Sequence, residues 1–176
     1  LWIVVELSAS EDWRSGGTIE LMLVGPDGQT AATARESLTG GMRSVRTRLD
    51  VAGRGSEYTL RVRAVPSAGG SPSTNIVTIG GAQGGSPAGA LLARRGPATA
   101  GREAPTADVQ FRRNEQIRVD LPSAMPASAR LLDRAGKPIA IPLTASARQD
   151  ADGSPWQSTT FALAPLAQAR LILRIA

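Results

Sequence analysis

The chain has 176 residues, 41% of them hydrophobic and 3% aromatic, with no His and no Cys and a net charge of +5. That length allows one large or two small domains, and the sparse aromatics leave a core to Val, Leu, Ile and Ala. The missing His and Cys exclude Ser-His and Cys-His catalysis, thiol redox chemistry and the commonest metal ligands.

Leu1, Ile3, Val5 and Leu7 alternate with Trp2, Val4, Glu6 and Ser8, the period of a strand. Thr18–Val24 is a second strand, closed by the turn Gly25-Pro26-Asp27-Gly28. Gln29–Arg35 continues as a third. In Met42–Val51, Val45, Thr47, Leu49 and Val51 alternate with Arg46, Arg48 and Asp50. Glu57–Val65 sets Tyr58, Leu60, Val62 and Ala64 against Thr59, Arg61 and Arg63. Thr74–Ile79 completes six strands at the spacing of a β-sandwich. Residues 81–105 are rich in Gly, Pro and Ala and read as a linker or edge segment. Within them, Ala88–Ala93 is a short apolar stretch suited to an edge strand or a helical turn. Further strands are expected at Asp108–Arg112, Gln116–Leu121, Ala129–Asp133, Pro138–Ala145, Trp156–Leu163 and Arg170–Ile175. No ten-residue window sustains a helical period without Gly or Pro. The expected fold is all-β, two tandem immunoglobulin-like β-sandwich modules over residues 1–80 and 106–176. Leu60, Val62, Ile117, Val119, Leu131 and Leu171 are expected inside, and Arg46, Arg48, Arg61 and Arg63 outside.

The charge is uneven. Residues 1–80 balance eight Arg against eight acids, whereas residues 81–176 hold twelve basic and seven acidic residues. Arg94, Arg95, Arg102, Arg112 and Arg113 are the candidate contacts for a polyanion, an anionic glycan or a nucleic acid. Phe111 is the one aromatic nearby, so no stacking platform for bases stands out. Asp150-Ala151-Asp152-Gly153 resembles the start of a calcium loop, but position 12 is Phe161 rather than Glu, and a hairpin turn fits better. Glu6-Leu7-Ser8-Ala9-Ser10 lies close to the Asp-x-Ser-x-Ser pattern of von Willebrand factor type A metal sites. Its first position is Glu, and that fold needs helices the chain lacks, so it reads as a strand end and a polar loop. No Gly-x-Ser-x-Gly elbow and no phosphate-binding Gly loop is present. The expectation is a protein without catalytic residues, metal or cofactor.

Several stretches carry a family resemblance. They are Phe111–Val119, Ala129–Pro138, Leu163–Ala167, Ile19–Gly28 and Tyr58–Ala64. Together they resemble the C-terminal region of large secreted bacterial proteins related to von Willebrand factor type A, without the type A domain itself. The resemblance implies an exported, extracellular or cell-surface protein. It transfers no functional residue, because the metal site of those proteins belongs to the type A domain. Where that family has Gly-Asp-Tyr before its last strand, this chain has Gln168-Ala169-Arg170. The chain also opens without Met, inside a strand, as an excised piece of a longer protein does. It lacks a basic leader and has no apolar run of membrane-spanning length. The expected role is structural or adhesive, with other proteins or copies of itself as partners. Leu1, Ile3, Val5, Leu7, Leu171 and Leu173 are the candidate assembly residues, on terminal strands with few charges to block pairing.

Overall fold

The computed structural model describes residues 1–9, 11–51, 57–80, 89–123, 128–166 and 172–175, with residues 11 and 172–175 given by backbone. The strands are β1 (Trp2–Glu6), β2 (Gly17–Val24), β3 (Thr30–Leu38), β4 (Ser44–Arg48), β5 (Tyr58–Pro66), β6 (Ser73–Ile79), β7 (Leu91–Arg95), β8 (Glu103–Thr106), β9 (Gln116–Pro122), β10 (Ala129–Leu132), β11 (Thr144–Gln149), β12 (Pro155–Ala162) and β13 (Ile172–Ile175). The only helical elements among the described residues are two 3₁₀ turns, at Glu11–Trp13 and Pro97–Thr99. The protein is all-β. The chain divides into two compact units, Leu1–Ser86 and Pro87–Ala176.

In the first unit a four-stranded antiparallel sheet, β3-β2-β5-β6, accompanies a two-stranded one, β1-β4. The period-2 pattern of β2 decides its orientation. Ile19, Leu21 and Leu23 point into the core, and Glu20 and Met22 point away. Leu60 and Ala64 of β5 join them, as do Ile3, Leu38 and Leu49. Trp13 packs into the same core. Its ring needs the bare Gly17, where a Cβ would come within 3.1 Å of it. The outer face carries charge instead: Arg63 Nη1 lies 3.1 Å from Glu20 Oε2. The β2–β3 turn is set by its sequence. The Gly25 N–H donates to Gln29 O at 2.8 Å, Asp27 Oδ1 accepts the Gln29 N–H at 3.0 Å, and Gly28 has φ +76°.

The second unit pairs a five-stranded antiparallel sheet, β11-β12-β9-β7-β8, with β10-β13. Its core is Ile117, Val119, Leu131, Phe161, Leu163 and Leu166. Three expectations are corrected here. First, of the linker or edge segment expected at residues 81–105, Leu91–Arg95 is an inner strand of this sheet and Glu103–Thr106 its edge strand. Their Gly and Pro misled because Pro105 stands on the outermost strand, where a missing N–H costs no ladder bond. Residues 81–88 lie outside the described residues. Second, Asp108–Arg112 is not a strand. The Asp108 side chain accepts the Gln110 N–H at 2.8 Å and turns the chain locally. Third, the strand placed at Pro138–Ala145 forms later, at Thr144–Gln149. Pro138 and Pro142 donate no ladder bond, so that stretch instead buries Ile139, Ile141 and Leu143 in part against the core.

Leu60, Ile117, Val119 and Leu131 are buried as expected, and Val62 is partly so. Arg48, Arg61 and Arg63 are exposed, whereas Arg46 is half-buried with its guanidinium carbon 4.9 Å from the Trp2 ring centre. Leu171 lies outside the described residues.

Candidate functional site

Alternation along β7 puts Leu92 and Arg94 on the inner face, opposite Thr106 and Ala104 of β8. Arg94 is 8% exposed. Its Nε and Nη2 donate to Thr106 Oγ1 at 3.0 and 2.6 Å, and Nη2 also donates to Asp108 O at 3.2 Å. Asp108 Oδ2 and Glu115 Oε1 stand 3.5 and 3.6 Å from the guanidinium, with the Phe111 ring centre 5.1 Å from its carbon. Glu115 is buried too, and its Oε2 accepts the Arg112 N–H at 2.6 Å. This group fastens the connection from β8 to β9. Arg94 is therefore corrected from polyanion contact to internal ion-pair partner. The side chains of Arg95, Arg102, Arg112 and Arg113 are on the surface. Arg95 Nε donates to Gly101 O at 2.7 Å and Arg113 Nη2 to Ala164 O at 2.9 Å, so part of each guanidinium is committed to the backbone.

The opposite face of the same sheet carries a second cluster. Asp120 of β9 stands across from Ser158 of β12. It is 2% exposed. Asp120 Oδ1 accepts the Ser158 hydroxyl at 2.6 Å and lies 3.0 Å from Arg118 Nε, while Oδ2 accepts Arg148 Nη2 at 2.7 Å. Arg118 also pairs with Glu103, and Arg148 with Asp150. The Arg148 guanidinium carbon lies 5.6 Å from the ring centre of Trp156, which is fully buried. Burial pulls the Arg148 pKa down, but hydrogen bonds and charge attraction to Asp120 and Asp150 outweigh it and push the value up. Two guanidiniums, three carboxylates and the Ser158 hydroxyl thus tie β8, β9, β11 and β12 together. Sequence reading passed over Asp120. The available signal was the spacing of Arg118 and Asp120, two apart on one face of a strand.

The candidate assembly strands are both paired inside their own units. β1 pairs with β4, setting Ile3 against Thr47 and Val5 against Val45. Ile3 is core, Val5 and Leu7 pack against it, and Leu1 is exposed. The backbone of β13 pairs with β10, with Leu173 across from Leu131. Each terminal strand thus has one partner within its own unit and, as a member of a two-stranded sheet, one further edge.

The two candidate cation motifs have other uses. Glu6 lies in β1 across from Ser44. Ser8 is exposed, and Ser10 lies outside the described residues. Asp150–Ser154 is a hairpin turn: the Gly153 N–H donates to Asp150 O at 2.9 Å, and Asp152 Oδ1 accepts the Ser154 N–H at 3.0 Å. Among the described residues, no three Asp or Glu side chains converge as metal ligands. No helix there is long and apolar enough to cross a membrane. Compared with protein-family models and with curated proteins, the chain matches none of them.

Proposed function

We propose that this chain is a non-catalytic structural or adhesive part of an exported bacterial protein, built from tandem immunoglobulin-like sandwiches that connect and dock. The observation that carries this reading is the use of the buried polar groups. Arg94, Glu115, Asp120 and Ser158 bond across strands and to loops, and so spend their chemistry on holding sheets together. The sheet order of the first unit supports the immunoglobulin-like part. β3-β2-β5-β6 facing β1-β4 corresponds to a C′-C-F-G sheet facing strands B and E, and Tyr58 opens the F-like strand, where a tyrosine corner stands. The resemblance to secreted proteins related to von Willebrand factor type A supports export and a cell-surface location.

Light scattering across ionic strength, with heparin as polyanion probe, tests the role. A docking module associates with itself or another protein through apolar and backbone contacts, and the association survives 0.5 M salt, where the Debye length falls to about 4 Å. The reading fails if the chain stays monomeric throughout and instead binds heparin with an affinity falling steeply with salt. That result would favour the exposed arginines of the second unit as a polyanion surface.

A further inference from the structure

We propose that β6 is an assembly edge: it pairs antiparallel with β6 of a second copy of this chain, across a two-fold axis at Ile76. The inference rests on the docking role above and names the surface that performs it.

Edge strands expose unpaired backbone groups, and natural proteins blunt them with charge or proline. Every other described outer strand is blunted in this way. β3 holds Arg35 and Glu36, β8 holds Glu103 and Pro105, and β11 holds Arg148. In the two-stranded sheets, β1 holds Glu6, β4 holds Arg46 and Arg48, β10 holds Arg130 and β13 holds Arg174. β6, an outer strand of the four-stranded sheet, reads Ser-Thr-Asn-Ile-Val-Thr-Ile and has neither charge nor proline.

The strand is also bare on both faces. Ile76 is 60% exposed and its neighbour Val77 43%, and successive residues point to opposite sides. The backbone gives the register. The Ile76 N–H donates at 2.8 Å to the exposed side chain of Asn75, its own neighbour, and not to β5. In an antiparallel ladder the N–H and C=O of one residue point the same way, so Ile76 and, two residues on either side, Thr74 and Thr78 offer both groups to the free edge. A partner carbonyl takes over from Asn75 without leaving a donor unpaired.

A second copy suits this edge because the strand is self-complementary. The two-fold axis sets Ile76 against Ile76 and Thr74 against Thr78 on one face, and Asn75 against Val77 on the other. A charged residue near the axis would meet its own copy, and β6 carries none. Arg61 of β5 stands across from Ile76, so the two copies of Arg61 sit three strand spacings apart, about 14 Å, beyond the screening length of about 8 Å at physiological salt. The joint makes one sheet of two four-stranded halves.

Cross-linking tests the contact directly. The chain has no cysteine, so in Ile76→Cys the new thiol is the only one. The two copies then meet as a hydrogen-bonded pair with Cα atoms about 5.5 Å apart, inside disulfide range. In a glutathione redox buffer the full-length variant should form a covalent dimer. A Val109→Cys control, at a position 74% exposed in the second unit, should not keep pace. In sedimentation equilibrium the unmodified chain should dimerise, and Ile76→Lys should weaken the dimer about tenfold or more by opposing two ammonium groups at the axis. Thr33→Lys on β3 should leave it unchanged. Equal cross-linking at positions 76 and 109, or a dimer indifferent to Ile76→Lys, overturns the β6 assignment and leaves the docking role standing. A chain monomeric at every concentration, with no cross-linking preference, overturns self-pairing through any edge, and the docking role falls with it only if the chain also binds heparin with an affinity falling steeply with salt.

Discussion

At the scale of single residues, backbone conformation and buried charge decide more than surface chemistry does. Ala100 has φ 50° and ψ 37°, a left-handed conformation at the end of the Pro97–Thr99 turn. An L-residue with a Cβ pays about 1 kcal/mol there. Ala100→Gly should therefore raise stability by about 0.5–1 kcal/mol, seen as a higher denaturant midpoint at unchanged slope. Gly16 poses the opposite case. It has φ +79°, and a Cβ would stand 2.1 Å from Leu38 O. That oxygen is backbone and cannot swing aside, so Gly16→Ala should cost about 2 kcal/mol or more by the same measurement. Asp120 is the residue whose chemistry outweighs its size. Asp120→Asn leaves Arg118 and Arg148 facing a neutral amide in a nearly closed site, for an expected loss of about 3 kcal/mol. A double-mutant cycle with Ser158→Ala should be non-additive, since the hydroxyl and both guanidiniums share one carboxylate. Additive losses would mean that the cluster is a set of independent surface pairs.

At the scale of elements, the sequence is legible where one face of a strand is apolar and the other is not. β2, β5 and β9 meet that condition, and their inward residues Ile19, Leu21, Leu60, Ile117 and Val119 are all core. β11 fails it, because Thr144, Ala145, Ser146 and Ala147 are exposed whichever way they point. It is a strand because the Asp150–Ser154 turn folds it back onto β12, setting Arg148 across from Trp156. Tertiary pairing overrides local pattern there. β7 and β8 hid behind Gly96, Pro97, Gly101 and Pro105, a composition that also marks linkers. What separates the two cases is non-local: Leu91–Arg95 has β9 on one side and β8 on the other. The Asp120 cluster was hidden for the same reason, since its members come from four strands far apart in sequence. Arg94 misled because a charged residue next to Arg95 reads as surface until the register turns it inward.

At the scale of the whole molecule, two cores share no residue. The first gathers Ile3, Trp13, Ile19, Leu21, Leu23, Leu38, Leu49, Leu60 and Ala64, and the second Ile117, Val119, Leu131, Phe161, Leu163 and Leu166. A unit with its own core carries its own stability. Leu60 belongs to the first set and Leu131 to the second, so truncating each probes one unit. Deleting three buried carbons removes their transfer free energy and leaves a cavity, a loss of about 2–5 kcal/mol. Hydrogen exchange should report where that loss falls. In Leu60→Ala, protection of the most slowly exchanging amides of β2 and β5 should drop by roughly 30-fold or more, the equivalent of 2 kcal/mol, while β9 and β12 keep theirs. In Leu131→Ala the pattern should reverse. If either substitution lowered protection in both units alike, the chain would unfold as one cooperative body and the two cores would not be separate sources of stability.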